Sequence, residues 1–116
     1  MSKTLTLLIL MEPPSANRYV RHARGRHFRT KEADAWYATV AITARGQSIP
    51  GKAHAVEYTV YQGHGSRGDV DNYAKCILDG LTKAGVLKSD ATVVDLVCHK
   101  RRDRDNPRTE ITVREV

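Results

Sequence analysis

The sequence predicts an α+β fold in which helices pack on a mixed sheet, and three observations lead there. Short alternating or Leu/Val-rich runs, which read as strands, lie at both ends of the chain and between two stretches of helical periodicity. The changes of pattern fall at glycines or prolines, the residues that end regular backbone. The length, 116 residues, suits one domain over 1–116 and can bury a core without disulfides.

Residues 4–11 are rich in Leu and Ile and read as a buried strand. The run is too short to span a membrane and has no cleavage-like ending, so it is not read as a signal peptide. Pro13-Pro14 ends it, and Ser15-Ala16-Asn17 turns the chain. A helix starts at Thr30, a plausible N-cap, with Glu32 and Asp34 at the positive end of its dipole. Trp36, Val40 and Thr43 or Ala44 recur at helical spacing, and the Gly46–Gly51 stretch, with Pro50 inside it, closes the helix. Residues 53–62 alternate through Val56, Tyr58 and Val60, as a strand does. Residues 63–68 are flexible by composition. The second helix is expected over 71–84, with Ala74, Ile77 or Leu78, Leu81 and Ala84 on its apolar face and Gly85 as its stop. A Val-rich strand over 93–99, a charged turn over 101–108 and an alternating strand over 109–116 follow. The expected order is β-α-β-α-β-β, with the last two strands as a hairpin.

Charge narrows the function classes. Lys and Arg number 19 against 13 Asp and Glu, a net +6 that suits a polyanionic partner. Apolar and charged content are ordinary for a globular protein, and no apolar run reaches membrane length. Cys76 and Cys98 lack CxxC spacing and read as free thiols, which fits a reducing cytoplasm. No Walker loop, dinucleotide fingerprint or HExxH motif occurs.

Against that basic background, Asp69-Val70-Asp71-Asn72 stands at the junction of the glycine-rich run and the second helix. Carboxylates two residues apart at such a junction can turn toward one point, and their oxygens suit hard cations such as Mg²⁺. Asp90 ends the next loop and supplies a third acid. Lys75 follows Asp71 at i+4 and would share a helix face with it, where its ammonium could hold a phosphate or the leaving oxygen. The plainer alternative makes Asp71 a helix N-cap and Lys75 a solvated side chain. A second DxDN, Asp103-Arg104-Asp105-Asn106, warns that the short pattern is weak by itself. It precedes Pro107, starts no apolar helix face and reads as turn chemistry.

Residues 18–31 form the most basic stretch: Arg18, Arg21, Arg24, Arg26, Arg29 and Lys31, with His22 and His27 and no acid. Arginines grip phosphates through paired donors, and Tyr19 or Phe28 can stack on an unpaired base. The alternative is a solvated loop whose aromatics face the core.

Over nearly its full length the chain resembles the RusA-type Holliday-junction resolvases. The matching pieces are Pro13-Pro14-Ser15-Ala16-Asn17-Arg18-Tyr19 and Arg67-Gly68-Asp69-Val70-Asp71-Asn72. Lys75, Leu78-Asp79-Gly80-Leu81-Thr82-Lys83-Ala84-Gly85, Asp90 and Val93-Val94-Asp95 follow in order. The resemblance implies a homodimeric, Mg²⁺-dependent endonuclease (Mn²⁺ can substitute) acting on four-way junction DNA. By position, Asp69, Asp71 and Asp90 match the family's catalytic acids and Lys75 its lysine. Ser89 stands where family members often carry another acid, so only Asp90 is assigned in that loop. Asn17, Arg18, Tyr19, Arg21, Arg24, Arg26, Arg29, Arg67 and Asn72 are the expected DNA contacts. Rival readings are a non-catalytic branched-DNA-binding module and a nuclease that prefers flaps or other branched DNA.

Overall fold

The computed structural model describes residues 3–15, 20–23 and 26–116, with backbone only for 20–23 and 26–29. Strand β1 is Thr4–Ile9, β2 Val20–Ala23 and β3 Arg26–Arg29. Helix α1 is Lys31–Ala44, β4 His54–Gln62 and α2 Ala74–Lys83. A short 3₁₀ turn, Asp90–Thr92, leads into β5, Val93–Arg102, and β6 is Arg108–Glu115. The main sheet has strand order β1-β6-β4-β5, and β2 and β3 form a separate antiparallel pair. β4 and β5 run parallel, joined by α2, while β6 is antiparallel to both β1 and β4.

The mixed sheet agrees with the sequence reading, but the terminal hairpin does not exist. β5 pairs with β4, and β6 lies on the other side of β4. The chemistry of the strands explains the arrangement. β6 buries Thr109, Ile111 and Val113 on one face and belongs inside the sheet. β5 ends in His99-Lys100-Arg101-Arg102, and charged residues suit an unpaired edge. The loop from 103 to 107 crosses the end of β4, and Asp103 N donates to Gln62 O at 3.0 Å there. Residues 20–29, read as a basic loop, include the β2–β3 pair, with Arg21 opposite Phe28 and Ala23 opposite Arg26.

Both helices cover one face of the sheet. Thr30 caps α1 as expected, its hydroxyl accepting from Ala33 N at 3.3 Å. Trp36, Val40 and Ala44 from α1 meet Ile77 and Leu81 from α2 over Leu7, Ile9, Val56, Tyr58, Val60, Ile111 and Val113. Trp36 is fully buried, and its indole N–H donates to Cys76 O at 3.0 Å, tying the two helices together. Gly80 is required at that crossing, because a Cβ there would lie 2.9 Å from Trp36 Nε1. Cys76 and Cys98 are free, as expected. Burial pushes the Cys76 thiol up to about 12, and its Sγ donates to Pro14 O at 3.0 Å. Among the described residues no helix is long and apolar enough to cross a membrane.

Candidate active site

α2 begins three residues later than the sequence suggests. Residues 70–73 form a turn, and the N-cap is Tyr73, with no side-chain capping bond. The turn is built by backbone bonds from Asn72 N to Asp69 O, 3.0 Å, and from Ala74 N to Asp71 O, 3.2 Å. Asp71 therefore does not cap the helix through its side chain, which removes the plainer reading of that residue.

Side chains reach this turn from the core and fix it. The Tyr58 hydroxyl, on β4, donates to Val70 O at 2.6 Å. Burial raises the Tyr58 phenol well above its ordinary value, with the negative charge of Asp71 a smaller cause, so the group stays a donor. Gln62 at the end of β4 donates to Gly68 O at 2.8 Å and to the Tyr73 hydroxyl at 2.7 Å. Gly68 is packed so closely on Tyr73 that a Cβ would collide with its hydroxyl.

The glycine-rich run before it is also held, against its composition. Glu12, just past β1, accepts from Gly63 N at 3.1 Å and from the Ser66 hydroxyl. Arg102, at the end of β5, donates to Gly63 O at 2.6 Å and Ser66 O at 3.1 Å. Three strand ends thus grip one loop, through Glu12, Gln62 and Arg102. Sequence reasoning missed Glu12, whose only signal was a single acid after a strand, and Arg102, one of several charges in the stretch read as a turn.

The carboxylates on this frame are exposed. The side chains of Asp69, Asp71 and Asp90 have no hydrogen-bond or ion-pair partner among the described residues. Exposed carboxylates with no protein partner keep their oxygens open to water or to a cation. Asp90 lines a hollow with Asp79, Thr82 and Lys83, on the flank of α2. A helix rises about 1.5 Å per residue, so that hollow lies on the order of 10 Å along the axis from the Asp71 turn. Among the described residues no group of three or more His, Cys, Asp or Glu side chains is placed to hold a metal ion. The structure keeps Asp69 and Asp71 on one turn and does not gather Asp90 with them into one ligand set.

Lys75 is exposed and pairs with Asp79, one turn further along α2, at 3.4 Å. The expected Asp71–Lys75 helical pair is absent, because Asp71 lies outside the helix. Arg67 is exposed and Asn72 half-buried beside the acid pair. Arg21, Arg26 and Arg29 occupy β2 and β3, where the backbone alone is described. Asn17, Arg18, Tyr19 and Arg24 lie outside the described residues.

An exposed acid pair on a braced loop, in a basic protein, is the kind of site that works on phosphodiesters, and comparison with known proteins agrees on the class. The family described as "Endodeoxyribonuclease RusA" matches residues 11–114. A crossover junction endodeoxyribonuclease of Enterobacteria phage 82 is 37% identical over 107 residues, covering 90% of this chain and 89% of the relative. The protein of the same name from Escherichia coli K12 is 36% identical over 107 residues, with the same coverage of each chain. That from Shigella sonnei is 36% identical over 110 residues, again over 90% and 89% of the two chains. The chain belongs to the RusA family.

Proposed function

We propose that the protein is a structure-specific endodeoxyribonuclease that resolves four-way DNA junctions by Mg²⁺-dependent phosphodiester hydrolysis. The observation that carries this reading is the Asp69–Asp71 turn: two unpartnered, exposed carboxylates on a loop braced from three strands. The donor set fits Mg²⁺, a hard ion commonly held by one or two carboxylates together with waters and substrate phosphate. Bound there, Mg²⁺ would activate water and offset charge on the phosphoryl oxygens.

The chain's own residues do the rest. Asp69 and Asp71 hold the ion's place because Tyr58 and Gln62 fix the backbone under them. Asp90 is the third acid of the proposed site on the strength of the family resemblance, although it lines a separate hollow with Asp79, Thr82 and Lys83. Lys75 supplies positive charge toward the phosphate. Lys75 is the exposed member of its pair with the partly buried Asp79, and its flexible stem lets the ammonium swing toward DNA.

The proposed active form is a twofold dimer. Paired nicks need two sites, and a twofold axis supplies the second. The unpaired edge strand β5 exposes Val94 and Leu96 on one face and Val97 on the other, apolar side chains that a second copy pairing along this edge would cover. Trp36, the chain's one tryptophan, is buried in the core and offers no surface to a second copy.

The deciding test is a synthetic four-way junction incubated with the protein in Mg²⁺, in Mn²⁺ and in EDTA, beside flap and linear duplex controls. Paired nicks on the junction in Mg²⁺ and none in EDTA are expected. Junction binding without cleavage would support the non-catalytic module, and faster cleavage of flaps a different nuclease. Light scattering of wild type and of Leu96→Glu tests the dimer, with the variant expected to be monomeric.

A further inference from the structure

The loop that carries the acid pair has a second face, and it is basic. His64, Gly65, Ser66, Arg67, Arg102 and Arg104 line a hollow of about 340 Å³, with no large apolar side chain among them. The basic 18–31 stretch is elsewhere in the sequence, and of this hollow only Arg67 was read as a DNA contact. Arg102 ends β5 and Arg104 lies in the β5–β6 connection, whose DxDN looks like a mere turn.

We propose that this hollow is a phosphate subsite that seats the DNA backbone beside the Asp69–Asp71 turn, with Arg67 and Arg104 as its contacting cations. The proposal rests on the nuclease reading and extends it to named residues outside the acid loop.

Charge accounting around the hollow leaves a positive surplus. Asp105 lies 3.9 Å from His64, and Asp103 accepts from Arg108 at 2.8 Å. Glu12 is occupied by Gly63 N and the Ser66 hydroxyl. Arg102 donates to the carbonyls of Gly63 and Ser66 and acts as a positioning residue for the rim. Arg67 and Arg104 are exposed and have no hydrogen-bond or ion-pair partner among the described residues. Two unmatched guanidiniums on a wall of polar backbone suit a phosphate. No Phe, Tyr or Trp lines the hollow to stack on a base, and its one ring, the His64 imidazole, lies beside Asp105.

Position supplies the second argument. Arg67 precedes Asp69 by two residues, a span of at most about 7 Å of extended chain. Backbone held at the acid pair would therefore carry a neighbouring phosphate to the mouth of the hollow. The subsite would contact every sequence alike, adding affinity and alignment without base readout.

The test is the salt dependence of junction binding, followed by fluorescence anisotropy in EDTA so that no strand is cut. Arg104→Gln should reduce the slope of log affinity against log salt by about 0.9, the effect of one lost phosphate contact on duplex DNA. For each fourfold drop in salt the variant should therefore gain about 3.5-fold less affinity than wild type. Arg114→Gln is the control, since Arg114 is exposed on β6 beside the inward-facing Val113 and so points from the sheet's other face. It should leave the slope unchanged. An unaltered slope in Arg104→Gln, or an equal change in Arg114→Gln, overturns the subsite. Mg²⁺ cleavage by the wild-type protein is scored separately. Cleavage by wild type with a flat Arg104→Gln result sinks the subsite and leaves the nuclease standing. Wild type that does not bind the junction sinks both.

Discussion

The chain writes DxDN twice, at 69–72 and at 103–106, and the fold puts the two copies to opposite uses. At 103–106 the side chains are spent on structure. Asp103 accepts from Arg108 at 2.8 Å, Asn106 N closes a turn onto Asp103 O at 3.3 Å, and Asp105 faces His64. Arg108 in turn lies over the Tyr61 ring, 3.8 Å from its centroid. At 69–72 it is the backbone that is held, by Tyr58 and Gln62, and the carboxylates are left without partners among the described residues. The same four-letter pattern is thus a stitch in one place and a presented pair of acids in the other. What separates them is which atoms the rest of the fold consumes.

The largest expected effect comes from exchanging charge at matched positions. Asp71→Asn should lower junction cleavage by more than about a hundredfold, beyond the usual loss of an outer-shell partner, while junction binding persists. Asp105→Asn should cleave like wild type. Equal losses in a single-turnover assay would erase the distinction between the two copies. Asp90→Asn, run alongside, should match Asp71→Asn; normal cleavage there would reduce the site to its two-carboxylate turn.

Next comes the packing under the turn. Gly68→Ala would drive a Cβ into the Tyr73 hydroxyl, and overpacking of this kind costs about 1–3 kcal/mol. A lowered urea midpoint, with cleavage reduced even where the protein remains folded, is the expected result. A wild-type midpoint would show that Tyr73 moves aside freely.

A milder change removes one bond from the frame. Tyr58→Phe deletes the donor to Val70 O and should cost about 1 kcal/mol in stability. Turnover should fall with DNA affinity unchanged, since the bond positions the acids and touches no phosphate. Loss of affinity with normal turnover would contradict that role.

The smallest effect belongs to the stitched copy. Arg108, chiefly through its hydrogen bond, holds the Asp103 carboxyl below its ordinary value. A depressed carboxylate stabilises the fold above its unfolded pKa, near 4, and that contribution fades as pH falls through the folded value. Asp103→Asn should therefore unfold at a slightly lower urea concentration than wild type at neutral pH, with the gap closing below about pH 4. A gap that stays constant with acidity would mean that the Asp103–Arg108 pair has no electrostatic share in stability.

Much of this was legible before folding, and the exceptions have physical causes. Thr30, Trp36 and Val40 announced α1 because cap chemistry and helical spacing are local signals. The start of α2 was misplaced because Asp71 looks like a cap, whereas tertiary bonds to Val70 and Gly68 hold those residues in a turn. The false hairpin came from adjacency: nothing local says that β4 sits between β5 and β6. The acids were readable as types in a pattern. Their lack of partners, the separation of Asp90, and the basic hollow built from Arg67 and Arg104 depend on contacts between distant residues, which a pattern does not contain.

The strand order also dictates when this molecule can exist. β1 pairs with nothing in the main sheet except β6, so the first strand made waits for the last, as in the register of Thr6 with Thr112. Chains dominated by such distant pairings fold slowly. During synthesis the Asp69–Asp71 segment leaves the ribosome well before β6, while the sheet that supplies its bracing is still incomplete. The brace under the acid pair is therefore completed late, once β6 has closed onto β1 and β4 and Glu12, Gln62 and Arg102 have been brought to one loop.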